Sequence, residues 1–341
     1  MIKRILYTLL IMFPVVASAQ INTDRVMAIG RNALYFEDYV LSIQYFNQVI
    51  NAKPYLSDPY FYRGLAKINL DDFQGAESDC SEAIERNPFV VSAYQVRGLA
   101  RIQQNNFAGA IEDYTKALEF DPENIGVWHN MALCRIRQED YKGAKNDLDK
   151  LIAISPRYTK AYLMRGEVDL KQKDTLAAEK DFGKAIEIDR YDADTWASRA
   201  ILRLQQQRYK DAEADFDHAI RLSTRNSGVY INRALARYHQ NNLRGAMSDY
   251  DIALDIDPNN FIGHYNRGLL RAQVGDDNRA IQDFNFVIEM EPDNMMAIFN
   301  RGLLLDQTGD YKGAIKDYST VINEYPNFLL GYQYRAQARR K

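Results

Sequence analysis

The chain has 341 residues, of which 43 are basic and 46 acidic. A net charge of −3 leaves no electrostatic footprint for nucleic acid. No Gly/Ser/Pro-rich or low-complexity stretch marks a linker.

In chain order, the first element reads as a secretory signal peptide over 1–19. Lys3 and Arg4 make a basic start, an apolar core follows from Ile5, and Ala17 and Ala19 are small residues ahead of Gln20. That core is too short to span a membrane comfortably as a mature helix, Pro14 interrupts it, and no later apolar run approaches membrane length. Cleavage would leave 41 basic and 46 acidic residues, a net −5. The expected location is the periplasm or the extracellular space, with association to an outer-membrane complex as one option.

From Thr23 the chain repeats itself every 34 residues, with units starting at Thr23, Ser57, Val91, Ile125, Thr159, Ala193, Ser227, Phe261 and Met295. Position 32 is proline at Pro54, Pro88, Pro122, Pro156, Pro258, Pro292 and Pro326, and departs only at Arg190 and Thr224. Position 8 is Gly or Ala, from Gly30 and Gly64 to Gly302 and Ala336. Position 20 is Ala from Ala76 to Ala314. Positions 4 and 24 are mostly aromatic, as at Tyr94, Trp128, Trp196, Tyr114 and Phe284. Within a unit, apolar spacing of three and four predicts a first helix over positions 2–14. A polar break follows, and a second helix runs toward the proline, which cannot continue it. Small residues at positions 8 and 20 allow the two helices to approach closely. One such hairpin cannot bury its own apolar face, so neighbours must stack. The last stretch, 329–341, has room for one helix only.

These periodic positions closely resemble the tetratricopeptide repeat over essentially the whole chain after the leader. The resemblance implies an all-α fold: an α-solenoid of nine helix–turn–helix repeats, wound as a right-handed superhelix, forming a single domain over 20–341. A C-terminal capping helix over 329–341 would end it. First helices would line a concave groove, and second helices the outer face.

Two polar positions recur. Position 7 carries Arg63, Arg97, Arg165, Arg199, Arg233, Arg267, Arg301 and Arg335; position 23 carries Asp79, Asp113, Asp147, Asp181, Asp215, Asp249, Asp283 and Asp317. They predict a structural ladder of Arg–Asp pairs, because the planar guanidinium fork suits a carboxylate. Pairing within a unit and pairing between units both fit the sequence. Arg101, Arg135, Arg203, Arg237 and Arg271 at position 11 sit one turn further on. Cys80 and Cys134 fall in non-adjacent units and read as small buried core residues rather than a disulfide.

No catalytic signature is present: no phosphate-cradling loop, no Gly-x-Ser-x-Gly elbow, no His-Glu-x-x-His. His129, His218, His239 and His264 fall in different units at different positions, so a metal site is not expected. No enzyme activity, cofactor or small-molecule substrate is expected.

The resemblance implies that positions 2, 5, 6, 9, 12 and 13 face the groove. Position 6 carries Asn130, Asn232, Asn266 and Asn300, the last three in consecutive units. An asparagine amide both donates to and accepts from a peptide backbone, so the row either holds an extended segment or merely spaces helices. Positions 5 and 9 add Ile231, Tyr265, Phe299, Leu235, Leu269 and Leu303 as the candidate apolar patch. Unit five departs from the pattern at Glu167, Asp169 and Thr175, and units five and six lack the terminal proline. This reads as a local hinge, a polar partner site or ordinary drift. The expected function is a protein-interaction scaffold that takes an extended peptide or partner helix in its groove. The alternative is a structural subunit of a cell-envelope assembly, held by its outer face or ends.

Overall fold

Each repeat folds as a hairpin because two apolar stripes are separated by a fixed stop-and-restart signal. The computed structural model of the protein describes residues 22–223 and 225–341, so the proposed leader 1–19 lies outside the described residues. Among the described residues there are nineteen α-helices and no strand. They fall into two compact units that divide after Pro156. The N-terminal unit holds four hairpins: α1 (Thr23–Tyr35) with α2 (Tyr39–Ala52), α3 (Asp58–Ile68) with α4 (Phe73–Arg86), α5 (Val91–Gln103) with α6 (Phe107–Phe120), and α7 (Ile125–Arg137) with α8 (Tyr141–Ile154). The C-terminal unit holds five hairpins. They are α9 (Thr159–Lys171) with α10 (Thr175–Ile188), α11 (Ala193–Gln205) with α12 (Tyr209–Leu222), α13 (Ser227–His239) with α14 (Leu243–Ile256), α15 (Phe261–Gln273) with α16 (Asp277–Met290), and α17 (Met295–Gln307) with α18 (Tyr311–Glu324). A last helix, α19 (Leu329–Ala338), packs on α18.

The turn inside each hairpin has a clear local cause. In α5, the Asn105 N–H donates to the Ile102 carbonyl and the Asn106 N–H to the Arg101 carbonyl, with Asn105 at φ 59°. That is a Schellman termination, which needs one left-handed residue. Asn106 then becomes the N-cap of α6, its Oδ1 accepting from the Gly109 N–H at 3.1 Å. The left-handed residue recurs in every hairpin, as Glu37, Asp71, Asn105, Glu139, Lys173, Gln207 and Asn241, and as Gly275 and Gly309 in the last two. At seven of the nine turns, therefore, a residue with a Cβ occupies backbone that favours glycine.

Packing explains the small residues. The alanines at position 20, Ala76 to Ala314, expose no surface. A Cβ added to Gly98 would come 2.8 Å from the Tyr114 ring, and one on Gly166 2.5 Å from Phe182. Position 8 is alanine in three repeats, at Ala132 with Leu148, Ala200 with Phe216 and Ala234 with Tyr250, and all six residues are buried. Within each unit the second helix of one hairpin packs on the first helix of the next. The core is shared accordingly: Tyr94 of α5, Tyr114 and Ala117 of α6, and Val127, Met131 and Cys134 of α7 form one cluster. Cys80 and Cys134 are buried and unpaired, and burial pushes their thiols up to about 12 and about 11.

The Arg–Asp pairs close within a repeat. Arg97 with Asp113, Arg199 with Asp215, Arg233 with Asp249, Arg267 with Asp283 and Arg301 with Asp317 each use Nε and Nη2 on the two carboxylate oxygens. Arg63 with Asp79 and Arg165 with Asp181 do the same. The remaining nitrogen, Nη1, reaches back to position 25 of the preceding repeat: Asn47 from Arg63, Ser81 from Arg97, Asp217 from Arg233, Asp251 from Arg267 and Asn285 from Arg301. Each of these five guanidinium groups thus ties its own hairpin and the one before. Position 11 adds a second bridge, with Arg101 joining Asp113 to Glu77, Arg203 joining Asp215 to Glu179 and Arg237 joining Asp249 to Glu213. Burial alone would raise the Glu77 and Glu179 carboxyls, but bonds from Arg101 and Gln104, and from Arg208 and Arg203, hold them below the usual range. The fourth repeat has Met131 at position 7, and among the described residues Asp147 pairs with the position-11 arginine, Arg135, at 2.8 Å. Its carboxyl is pushed up to about 6, chiefly by burial.

Candidate functional site

The candidate groove residues lie along one stripe of the first helices. Helical spacing of four and three puts Ile262, Asn266 and Leu269 on one stripe of α15, Met296, Asn300 and Leu303 on α17, and Gly228, Asn232 and Leu235 on α13. All three helices belong to the C-terminal unit. Ile262 is 51%, Met296 61% and Leu269 39% exposed. Leu235 and Leu303 are half-buried.

The three asparagines are half-buried but differ in their engagement. Asn300 Nδ2 donates to the Tyr265 hydroxyl at 3.2 Å. Burial raises the Tyr265 phenol, and the Asn300 bond works the other way. Among the described residues, the Asn232 and Asn266 amides make no side-chain hydrogen bond, so their donors and acceptors face outward unspent. Asn130 lies beside the Tyr114 hydroxyl in the N-terminal unit, apart from these three.

Two residues of the expected apolar patch do not belong to the surface. Ile231 packs in the cluster of Tyr230, Ala234, Tyr250 and Leu270. Phe299 is enclosed by Tyr318, Phe328 and Tyr334, with ring centroids 5.0–5.9 Å away. Phe299 still forms one wall of a cavity of about 440 Å³, together with Met295, Met296, Val321, Tyr325 and Phe328. That cavity opens beside the α17 stripe and has an apolar lining over most of its wall. Ile262 and Met296 were not among the sequence candidates. Their signal is a change at position 2, which is acidic at Asp24, Asp58 and Asp194 and becomes Ile262, Met296 and Leu330 at the end of the array.

Among the described residues no helix is long and apolar enough to cross a membrane, and no group of His, Cys, Asp or Glu is placed to hold a metal ion. His264 is engaged on both ring nitrogens. Its Nε2 lies 3.0 Å from the Pro258 carbonyl, its Nδ1 3.0 Å from Asp283, and its ring on Phe286. Trp128 and Trp196 occupy the same repeat position and donate to the matching carbonyls of Pro122 and Arg190.

Comparison with known proteins agrees with this architecture. Family models for the tetratricopeptide repeat match residues 125–158 and 159–192, and 198–261 and 265–327; a further TPR-repeat model matches 98–134. The first two matches start and stop on the repeat boundaries read from the sequence. No curated protein matches the chain. A tetratricopeptide repeat protein from Parabacteroides merdae is similar in structure, with a TM-score of 0.56 and 21% identity over 73% of this chain and 98% of that one. The C-terminal part of a TPR repeat-containing protein from Cytophaga hutchinsonii gives 0.58 and 17% over 70% and 97%. Pseudomonas aeruginosa pilF gives 0.53 and 19% over 64% and 97%. At these identities the likeness speaks for the fold alone. With the helix pairs, their register and the family models in agreement over most of its length, the chain belongs to the tetratricopeptide-repeat family.

Proposed function

We propose that this protein is a non-enzymatic interaction scaffold that holds an extended peptide along the first-helix stripes of α13, α15 and α17. The observation that carries the reading is the pair of unspent amides, Asn232 and Asn266, one repeat apart and flanked by exposed Ile262 and Leu269. Amides at repeat spacing can hold a peptide backbone without reading its side chains. Side-chain preference would come from the apolar cavity beside Met296.

Magnitudes limit the affinity. Two bonds from each free amide, at about 1 kcal/mol net each, give about 4 kcal/mol. Covering the remaining exposed parts of Ile262, Leu269 and Met296 adds about 1 kcal/mol apiece. Before ordering costs the sum, about 7 kcal/mol, corresponds to a dissociation constant of roughly 10 μM, and those costs weaken it toward the millimolar range. Such a site suits an exchangeable partner.

Export through the leader 1–19 belongs to the same proposal and is supported by its basic start, apolar core and Ala17–Ala19 exit. A second reading, assembly into an envelope complex through another face, has an observation of its own. Phe89 and Phe120, 73% and 43% exposed, meet edge to face at 6.0 Å in the N-terminal unit. A displayed peptide library selected against the chain separates the two. Under the first reading, enriched peptides lose about tenfold or more in affinity when Asn232 and Asn266 are both changed to alanine, with the melting temperature unchanged. Full retention of binding in that double variant refutes it.

A further inference from the structure

The repeat loses its proline at Arg190, and the chain does something different there. Arg190 precedes Tyr191, which is 75% exposed, and a cavity of about 580 Å³ opens between the C-terminal ends of α10 and α12. Its walls include Trp196, His218, Tyr191, Leu222, Glu187 and the two arginines Arg190 and Arg221. His218 stacks on Trp196 at 4.2 Å and 15°, while Arg199 lies over the same indole at 5.1 Å. His218 is itself exposed and borders the cavity.

The charges around the cavity are uneven. Glu187 is taken by Lys184 at 2.9 Å. Asp189 accepts from the Tyr191 N–H at 2.9 Å, and Asp192 accepts from the Thr195 hydroxyl. Among the described residues neither Arg190 nor Arg221 makes an ion pair or a side-chain hydrogen bond. The arginine that ends α4 is spent instead. Arg86, at the end of α4, stacks on Tyr60 at 4.1 Å and bonds both the Pro54 carbonyl and Glu82. At the matching place around His264 the ring also stacks, on Phe286, but the residues in register with Arg190 and Arg221 are Pro258 and Glu289. Two uncommitted guanidinium forks beside an aromatic stack are therefore particular to this repeat.

We propose that this cavity is a second binding site, separate from the first-helix stripes, for a small planar organic anion: an aromatic ring carrying a carboxylate or phosphate. The ring extends the Trp196–His218 stack, and the anion takes the donors of Arg190 and Arg221. The volume lies within the range of small-molecule pockets, about 300–1,000 Å³.

Four probes dissect the chemistry by calorimetric titration of the full chain. AMP joins a ring to a phosphate, indole-3-acetate joins a ring to a carboxylate, adenosine is a ring without an anion, and inorganic phosphate is an anion without a ring. The two joined ligands bind saturably, at least about tenfold more tightly than adenosine or phosphate. Arg190→Pro is the decisive variant, because it removes a guanidinium while restoring the repeat. Proline keeps the carbonyl that Trp196 uses, as Pro122 does for Trp128, and Asp189 already has the extended backbone (φ −136°, ψ 100°) that a following proline requires. That variant melts no lower than the parent and binds both joined ligands about tenfold more weakly; Arg221→Gln does the same. Absence of saturation up to about 10 mM, equal binding of phosphate or adenosine alone, or unchanged affinity in folded Arg190→Pro each overturns the proposal.

Discussion

Removing the Asp249 carboxylate tests whether the ladder holds the stack together. Asp249 is 1% exposed and accepts from Arg233 Nε at 2.9 Å, Arg233 Nη2 at 2.6 Å and Arg237 Nη1 at 2.8 Å. Three charge-assisted bonds are worth roughly 1.5–3 kcal/mol each before the carboxylate's own burial is deducted. Asp249→Ala does not strand the two cations completely. Arg233 retains Asp217 at 2.6 Å, Arg237 retains Glu213 at 2.7 Å, and both arginines keep some contact with water. The expected loss is therefore about 3 kcal/mol, the lower end of the range for breaking a buried pair. Urea unfolding followed by circular dichroism reads it as a fall in midpoint of roughly 1–3 M. Because repeats couple mainly to their neighbours, amide exchange should quicken first in α13–α16. A companion variant, Asp249→Ala with Arg233→Met, imitates Met131 of the fourth repeat and should recover part of the loss. A loss below about 1 kcal/mol for Asp249→Ala, with no local exchange, would refute the reasoning.

Other perturbations follow from single contacts. Gly98→Ala drives a Cβ to 2.8 Å from the buried Tyr114 ring and should cost about 1–3 kcal/mol by thermal melting. Gln207→Gly relieves a left-handed residue at φ 61°, where the last two hairpins already use glycine, and should raise stability by about 0.5 kcal/mol after the added unfolded-state entropy. Asp147 sets a pH dependence in the N-terminal unit. Its folded carboxyl titrates at about 6, above the usual unfolded value, so the folded state binds more protons in between. Stability should fall by up to about 3 kcal/mol as pH rises from 4 to 6, and the difference between parent and Asp147→Asn should show that slope in urea midpoints taken across the window.

Much of the fold could be read before any coordinates, because a 34-residue period reports helix pairs directly. The direction of the Arg–Asp pairs could not. Position 23 stands 16 residues after the position-7 arginine of its own unit and 18 before that of the next, so chain separation barely distinguishes them. The hairpin decides it, by setting Nε and Nη2 of Arg233 against Asp249 and leaving Nη1 to reach Asp217. Position 5 was ambiguous for a related reason. It borders both the surface and the neighbouring hairpin, and Ile231 and Phe299 turn inward because Leu270 and Phe328 are there to receive them. Ile262 and Met296 were legible in principle, as large apolar residues at a position that is polar or glycine in every earlier repeat, but only once position 2 is compared down the array.

A residue that recurs in every hairpin answers a need that every hairpin has, and in a stacked array that need is the neighbour. The recurrent glycines, alanines, arginines and aspartates are spent in this way: on ring contacts, on close helix approach and on bonds back to the preceding repeat. A partner that binds at one place along the chain must be met by something found at that place. The departures from the period therefore carry more functional weight than the period. The free amides of Asn232 and Asn266, with exposed Ile262 and Leu269 beside the latter, mark one such place, and Arg190 beside the Trp196–His218 stack marks another.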